Sequence, residues 1–154
     1  MTDATIQARL DELGLVLPAA PSPAASYQPW SKIGDVVYTA GQVPVVDGAL
    51  VFAGRLGDEL ETADGQQAAA VAATNVLAVL DAAIGLERTR VCKVTVFVAS
   101  TADFDEHHLV ANGASERLAA VLGEHGVHAR SAVGVAALPL GAPVEVEAVA
   151  VVRD

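Results

Sequence analysis

Two glutamates spaced two apart in a run of valines, Glu145 and Glu147 in V-E-V-E-A-V-A-V-V, are the first residues of this 154-residue chain that could do chemistry. In an extended strand both carboxylates project from one face, which Val149 and Val151 continue as an apolar stripe. A carboxylate in such a stripe must pair with a cation, accept hydrogen bonds, or keep its proton to higher pH and serve as a general acid or base. The plainer alternative is a salt-bridged or edge-exposed pair. Arg130, in H-A-R-S-A-V, opens the preceding strand, close to where a hairpin partner of Glu145 would lie. A guanidinium there could clamp a carboxylate-bearing ligand bidentately or form an ordinary ion pair with Glu145, and the spacing leaves both open.

Other residues offer less. Gly41, in T-A-G-Q-V-P, marks either a hairpin bulge or a close approach of backbone to ligand. Tyr27 follows a proline-rich stretch and is placed to close over a pocket or simply to pack. His107 and His108 point about 100° apart on a helix, and His125 and His128 flank a glycine turn without a carboxylate-rich partner set, so no metal site is expected. Cys92 reads as a core thiol on an alternating strand, and Lys32 and Lys93 as surface cations. No phosphate loop, dinucleotide glycine fingerprint or G-x-S-x-G elbow occurs.

The elements that must position these groups follow from periodicity and turn chemistry. Ile6, Leu10 and Leu13 behind Thr2, with Gly14 as a stop, predict a short amphipathic helix. The run from Pro18 to Pro29 is expected to be extended and irregular. Residues 1–26 therefore form an N-terminal appendage, and residues 27–154 the main domain. An Asp47-Gly48 turn lies between β-forming runs from Asp35 to Phe52. A helix is expected from an N-cap at Thr62, through Asp64 and the stripe Ala69, Ala73, Val76, Leu80 and Ala83, to Gly85. Arg90 to Ala99 reads as a strand, and a second helix opens near Asp103 and Asp105 and closes at Gly123. Ser131 to Ala137 and Val144 to Val152 read as a pair of strands around a Leu138-Pro139 corner.

The order β-β-β-α-β-α-β-β implies an α+β sheet with both helices on one face. The last strand is apolar on both faces, so the opposite sheet face is expected to be buried by oligomerisation. A hydrophobic content of 53% with 18% charged residues excludes intrinsic disorder, and 4% aromatics means a core of Ala, Val and Leu. Nineteen acidic against nine basic residues give a net charge of −10, which disfavours nucleic acid and anionic membranes as partners. A single cysteine, no leader-like N-terminus and apolar runs shorter than the roughly 20 residues of a membrane span predict a cytoplasmic protein.

Three stretches together resemble a known family: Y-T-A-G-Q-V-P (Tyr38 to Pro44), V-x-K-V-T-V-F-V (Val91 to Val98), and A-R-S-A-V-x-V-x-x-L-P followed by V-E-V-E-A (Ala129 to Ala148). They are similar to the RidA/YjgF family of reactive-intermediate deaminases, also called endoribonuclease L-PSP-like, from about Tyr27 to the C-terminus. The resemblance implies a chorismate-mutase-like α+β fold and a homotrimer with a central β-barrel and ligand sites at subunit interfaces. It implies that Arg130 grips a substrate carboxylate and that Glu145 orients or activates water. Tyr27, Gly41, Asn112 and Ser115 join Arg130 in binding the substrate. The implied reaction is hydrolysis of a 2-imino acid to the 2-oxo acid and ammonia, with no metal or organic cofactor. Four positions depart from the family pattern: Ala40 stands for Ser, Ser115 for Tyr, His128 for Pro and Ala132 for Cys, which marks a divergent branch with an N-terminal extension. Competing readings are a non-catalytic trimer that binds a small carboxylate, and a ribonuclease, which the charge argues against.

Overall fold

The computed structural model describes residues 5–22 and 25–154. Helix α1 (Ile6–Glu12) is capped by Thr5, whose Oγ1 accepts the Ala8 N–H at 3.2 Å; Thr2, expected in that role, lies outside the described residues. Ile6 and Leu10 are buried in the core, but Leu13, predicted on the same stripe, is the C-cap residue and 45% exposed. The described residues of the proline-rich stretch carry no regular element; Pro23 and Ala24 lie outside the described residues.

Strands β1 (Trp30–Ile33) and β2 (Val36–Thr39) form an antiparallel pair. The Asp47-Gly48 turn joins β3 (Val45–Val46) to β4 (Ala49–Leu50) in a separate two-stranded sheet. Both turn residues have positive φ, 51° and 82°, the mirror-image turn whose twist matches the flanking strands.

Helix α2 (Thr62–Ile84) begins one residue earlier than expected in its capping: Glu61, not Thr62, is the N-cap, and the Asp64 carboxylate accepts the Glu61 N–H at 2.9 Å. Thr62 is the first helical residue instead, and its hydroxyl donates to Glu106. Contrary to the reading of the apolar runs, α2 is long and apolar enough to cross a membrane, with a mean hydropathy of 1.6 in its most apolar window. That window is 61% buried inside the domain, as befits a core helix.

Helix α3 (His107–Leu122) packs on α2, starting after Glu106 rather than at Asp103 or Asp105. The two helices approach closely at Gly113, where a Cβ would stand 1.9 Å from the Gln66 carbonyl oxygen. Gly113→Ala is therefore expected to destabilise the fold by about 2 kcal/mol, even though alanine gains roughly 1 kcal/mol over glycine in a helix. A lowered urea midpoint at unchanged m-value checks this.

The main sheet has the order β1-β2-β7-β5-β6, with β5 at Thr89–Ala99, β6 at Ala129–Val135 and β7 at Val144–Val152. The last two strands are not a hairpin, as the sequence suggested. The chain crosses over through α3 to lay β6 parallel to β5, then returns on the other side of β5 as β7. Arg130 thus pairs with Val94, whereas Glu145 pairs with Phe97.

Alternation in the sheet sets two faces. Val91, Val94, Val96 and Val98 of β5, with Val144, Val146, Ala148 and Ala150 of β7, are buried beneath α2 and α3. The opposite face carries Tyr38, Glu145, Glu147, Val149, Lys93, Thr95, Phe97 and Ser131. Cys92 was expected in the core, but a bulge between Val91 and Lys93 breaks the alternation and leaves it exposed.

Candidate active site

The residues singled out in the sequence fall into two groups on opposite faces of the main sheet. Arg130, in register with the buried Val94, points to the helix side at the β6 edge. There α3 presents His108, Asn112 and Ser115 at i, i+4 and i+7, one face of a helix. Arg130 Nη1 donates to Asn112 Oδ1 and to Ser115 Oγ, and Nη2 donates to the His108 carbonyl, each at 3.0 Å. The guanidinium plane is fixed by three acceptors, and among the described residues no carboxylate lies within ion-pair distance. Among the described residues, two of its N–H donors, Nε and the second proton of Nη2, have no acceptor and are available to a ligand.

His128 completes this group. Its Nδ1 lies 2.6 Å from the Gly126 carbonyl and its Nε2 3.0 Å from Ser115 Oγ. Burial holds the imidazole below its ordinary range, the hydrogen bond to Gly126 draws it part of the way back, and Arg130 adds to the lowering.

Glu145 sits on the other face, near the start of β7, under the backbone of Gly41. The residues after β2 run beside β7, where Gln42 and Val146 exchange backbone hydrogen bonds of 2.8 and 2.9 Å. A Cβ on Gly41 would lie 1.8 Å from Glu145 Oε1. Gly41 thus meets a protein carboxylate, one of the close approaches that a strand glycine permits. Half-burial pushes the Glu145 carboxyl above the usual carboxylate range, and the neighbouring charge of Glu147 pushes it further. Gly41 also borders a cleft of about 410 Å³ that Tyr27, Gln42, Asn75 and Leu140 help to line. Asn75 shapes its floor by donating to the Val43 and Val45 carbonyls at 3.0 Å each. Tyr27, 48% exposed, stands at this cleft, whose lining includes none of the Arg130 cluster.

One sequence alternative is corrected by this geometry. Arg130 and Glu145 cannot form an ion pair within one chain, because β5 lies between their strands and their side chains leave opposite faces. The sequence reading did not find Gln42, Asn75 or the His108 carbonyl. The i, i+4, i+7 spacing of His108, Asn112 and Ser115 was the available signal for the last. The remaining histidines serve locally: His107 Nε2 meets Ser100 Oγ at 3.0 Å, and His125 lies 3.6 Å from Glu124. Among the described residues no three His, Cys, Asp or Glu side chains gather as metal ligands would.

The family description "Endoribonuclease L-PSP" matches residues 17–152, which includes both groups of site residues. The chain belongs to the endoribonuclease L-PSP (RidA/YjgF) family. Within that family it is 45% identical to Protein TCP17 of Trypanosoma cruzi over 146 residues, 93% of this chain and 91% of that one. A crystal structure of an Agrobacterium tumefaciens protein of unknown function is 43% identical, with a TM-score of 0.88, and the match covers 96% of this chain and 92% of that one. A third relative, the 2-iminobutanoate/2-iminopropanoate deaminase of Dermatophagoides farinae, is 32% identical over 88% of this chain and 93% of its own. The mixed α+β sheet described above is the fold of this endoribonuclease L-PSP family.

Proposed function

We propose that the chain hydrolyses small 2-imino acids to 2-oxo acids and ammonia at sites completed between copies of itself, Arg130 from one and Glu145 from the next. The observation that carries this reading is the placement of the two groups. A ready-made carboxylate grip and a carboxylate of raised basicity each lack a counter-ion among the described residues and leave opposite faces of one sheet. They can meet only when the open sheet face of one copy abuts the edge of another, as a closed cytoplasmic homotrimer would arrange. The apolar residues left on that face, Tyr38 and Val133 among them, support its burial.

In this reaction Arg130 holds the substrate carboxylate and Asn112, Ser115 and His108 hold Arg130. Glu145 takes a proton from water as its oxygen bonds to C2 of the imine. Glu145 returns that proton to the nitrogen to give the carbinolamine, then carries the C2 hydroxyl proton to the amino group, so that the C–N bond breaks, ammonia leaves and the C2 oxygen becomes the ketone. Water and imine are consumed and the oxo acid and ammonia released, so no cofactor enters the balance. The net charge of −10 favours a small substrate over RNA, and the relative named as an imine deaminase acts on substrates of this class.

The direct test generates 2-iminobutanoate with threonine dehydratase and traps what escapes hydrolysis with semicarbazide. Diminished trapping in the presence of the protein is the expected result. Undiminished trapping, with 2-oxobutanoate still bound, would replace the hydrolase by a carboxylate-binding trimer.

The raised basicity of Glu145 sets the pH dependence. As pH falls, its carboxylate takes up a proton above the ordinary value of 4.5, so the acid limb of kcat/KM is expected above that value. Glu147→Gln removes one of the two causes and moves the limb to lower pH. A limb at 4.5 or below in the wild type would rule Glu145 out as the base.

A further inference from the structure

Ser115 and His128, two of the positions at which this chain departs from the family pattern, meet each other at 3.0 Å beside Arg130. Their hydrogen bonds have a forced direction. A guanidinium only donates, so Ser115 Oγ accepts from Arg130 Nη1 and its own proton must go elsewhere. A carbonyl only accepts, so His128 Nδ1 carries the proton that faces Gly126. The neutral imidazole then offers its Nε2 lone pair to the Ser115 hydroxyl. The relay runs from Arg130 through Ser115 and His128 to the backbone, with the serine proton pointing away from the guanidinium.

We propose that His128, acting through Ser115, couples the capture of a carboxylate at Arg130 to the uptake of one proton, which makes both of them positioning residues for the anionic end of the ligand. The inference rests on the reading of Arg130 as the carboxylate grip, but not on turnover. In the free site, burial and the adjacent guanidinium favour the neutral ring. A bound carboxylate offsets the charge of Arg130, and the balance shifts toward the imidazolium. One proton from solvent then forms an N–H bond at Nε2, which donates to Ser115 Oγ. The serine hydroxyl proton, released from Nε2, turns to the ligand and adds a third donor to the two free N–H groups of Arg130. Because binding and protonation favour each other, the linkage is reciprocal: the ligand raises the affinity of His128 for its proton, and a lower pH tightens the ligand.

The groups that face His128 are few. Arg130 faces it from β6, the Ser115 hydroxyl from α3, and the Gly126 carbonyl from the turn before β6. His108 of α3 contributes its carbonyl to Arg130, and Lys93, bonded to Ser131 at 2.7 Å, lies on the other face of the sheet. Glu145 of a second copy is the remaining titratable group in the proposed site, so the test must separate it from His128.

Calorimetric titration of the full-length protein with 2-oxobutanoate near pH 7, in two buffers of different ionisation heat, counts the protons taken up. Uptake approaching one proton is expected, with Kd falling several-fold from about pH 8 to about pH 6. In His128→Gln the amide oxygen still accepts the Ser115 proton but cannot titrate, so uptake should vanish and Kd should lose its pH dependence. Ser115→Ala, which cuts the link without touching the imidazole, should weaken both effects and serves if His128→Gln does not fold. Uptake should persist in Glu145→Gln. Wild-type binding without proton uptake, or uptake that survives in His128→Gln, would overturn the coupling alone. Failure of 2-oxobutanoate to bind at all would overturn it together with the Arg130 grip. Binding with uptake but no imine hydrolysis would leave the coupling standing and remove the hydrolase reading.

Discussion

Arg130→Ala and Glu145→Gln are each expected to lower kcat/KM for 2-iminobutanoate by about two to three orders of magnitude, the usual scale for losing a carboxylate clamp or a general base. Each variant should melt close to the wild type. The guanidinium lies at the β6 edge and the carboxylate on the open sheet face, both half-buried, where water replaces the lost partner rather than leaving a dry cavity. The decisive comparison mixes the two inactive variants. If each site draws Arg130 from one copy and Glu145 from another, unfolding and refolding a 1:1 mixture creates some junctions with both residues intact. Random assembly gives each junction an intact arginine half the time and an intact glutamate half the time, so about a quarter of wild-type activity should return. No recovery from a mixture shown to co-assemble would sink the shared site and leave Arg130 and Glu145 without a common role.

Gly41→Ala is the second large effect, and it separates position from stability. The added methyl would stand 1.8 Å from Glu145 Oε1, 2.6 Å from Cδ and 2.8 Å from Cγ, so the carboxylate and the methyl cannot share the space. The atoms in the way belong to the outer part of a side chain on the open sheet face, so a rotation of Glu145 relieves the clash while the strand stays in place. The expected result is a fall in kcat of about 100-fold, as for a misplaced general base. The melting temperature should shift little, because backbone and core are untouched. KM should stay near the wild-type value, since the Arg130 cluster lies on the other face. A variant of wild-type activity would show that Glu145 need not sit where the structure holds it. One that loses both activity and several kcal/mol of stability would make Gly41 a structural residue of the β2 edge.

These outcomes also show what could be read in the chain before it was folded. Period-two alternation in V-E-V-E-A-V-A-V-V put Glu145 and Glu147 on one face and Val144, Val146, Ala148 and Ala150 on the other, as the strand has them. The Asp47-Gly48 turn and the glycine stops at Gly85 and Gly123 were legible because positive φ has few residue solutions. Where local chemistry offered two answers, the reading erred by a residue or two. Glu61 and Thr62 compete for the cap of α2, and α3 starts at His107 although Asp103 and Asp105 are better N-cap types.

The arrangement of the site lay beyond that range. Strand alternation says which face a residue occupies relative to its own neighbours, but not which strand lies beside it. The insertion of β5 between β6 and β7 depends on the parallel crossover through α3, a contact between segments far apart in sequence. The bulge that turns Cys92 outward likewise arises from pairing with β7 and leaves no mark in V-C-K-V. Residue types and local periodicity thus settled which side chains could do chemistry and which face of its own element each one takes, because those depend on neighbours within a turn or two. Long-range strand pairing alone decided that Arg130 and Glu145 leave opposite faces of one sheet, because register and strand order are set by the packing of the whole core.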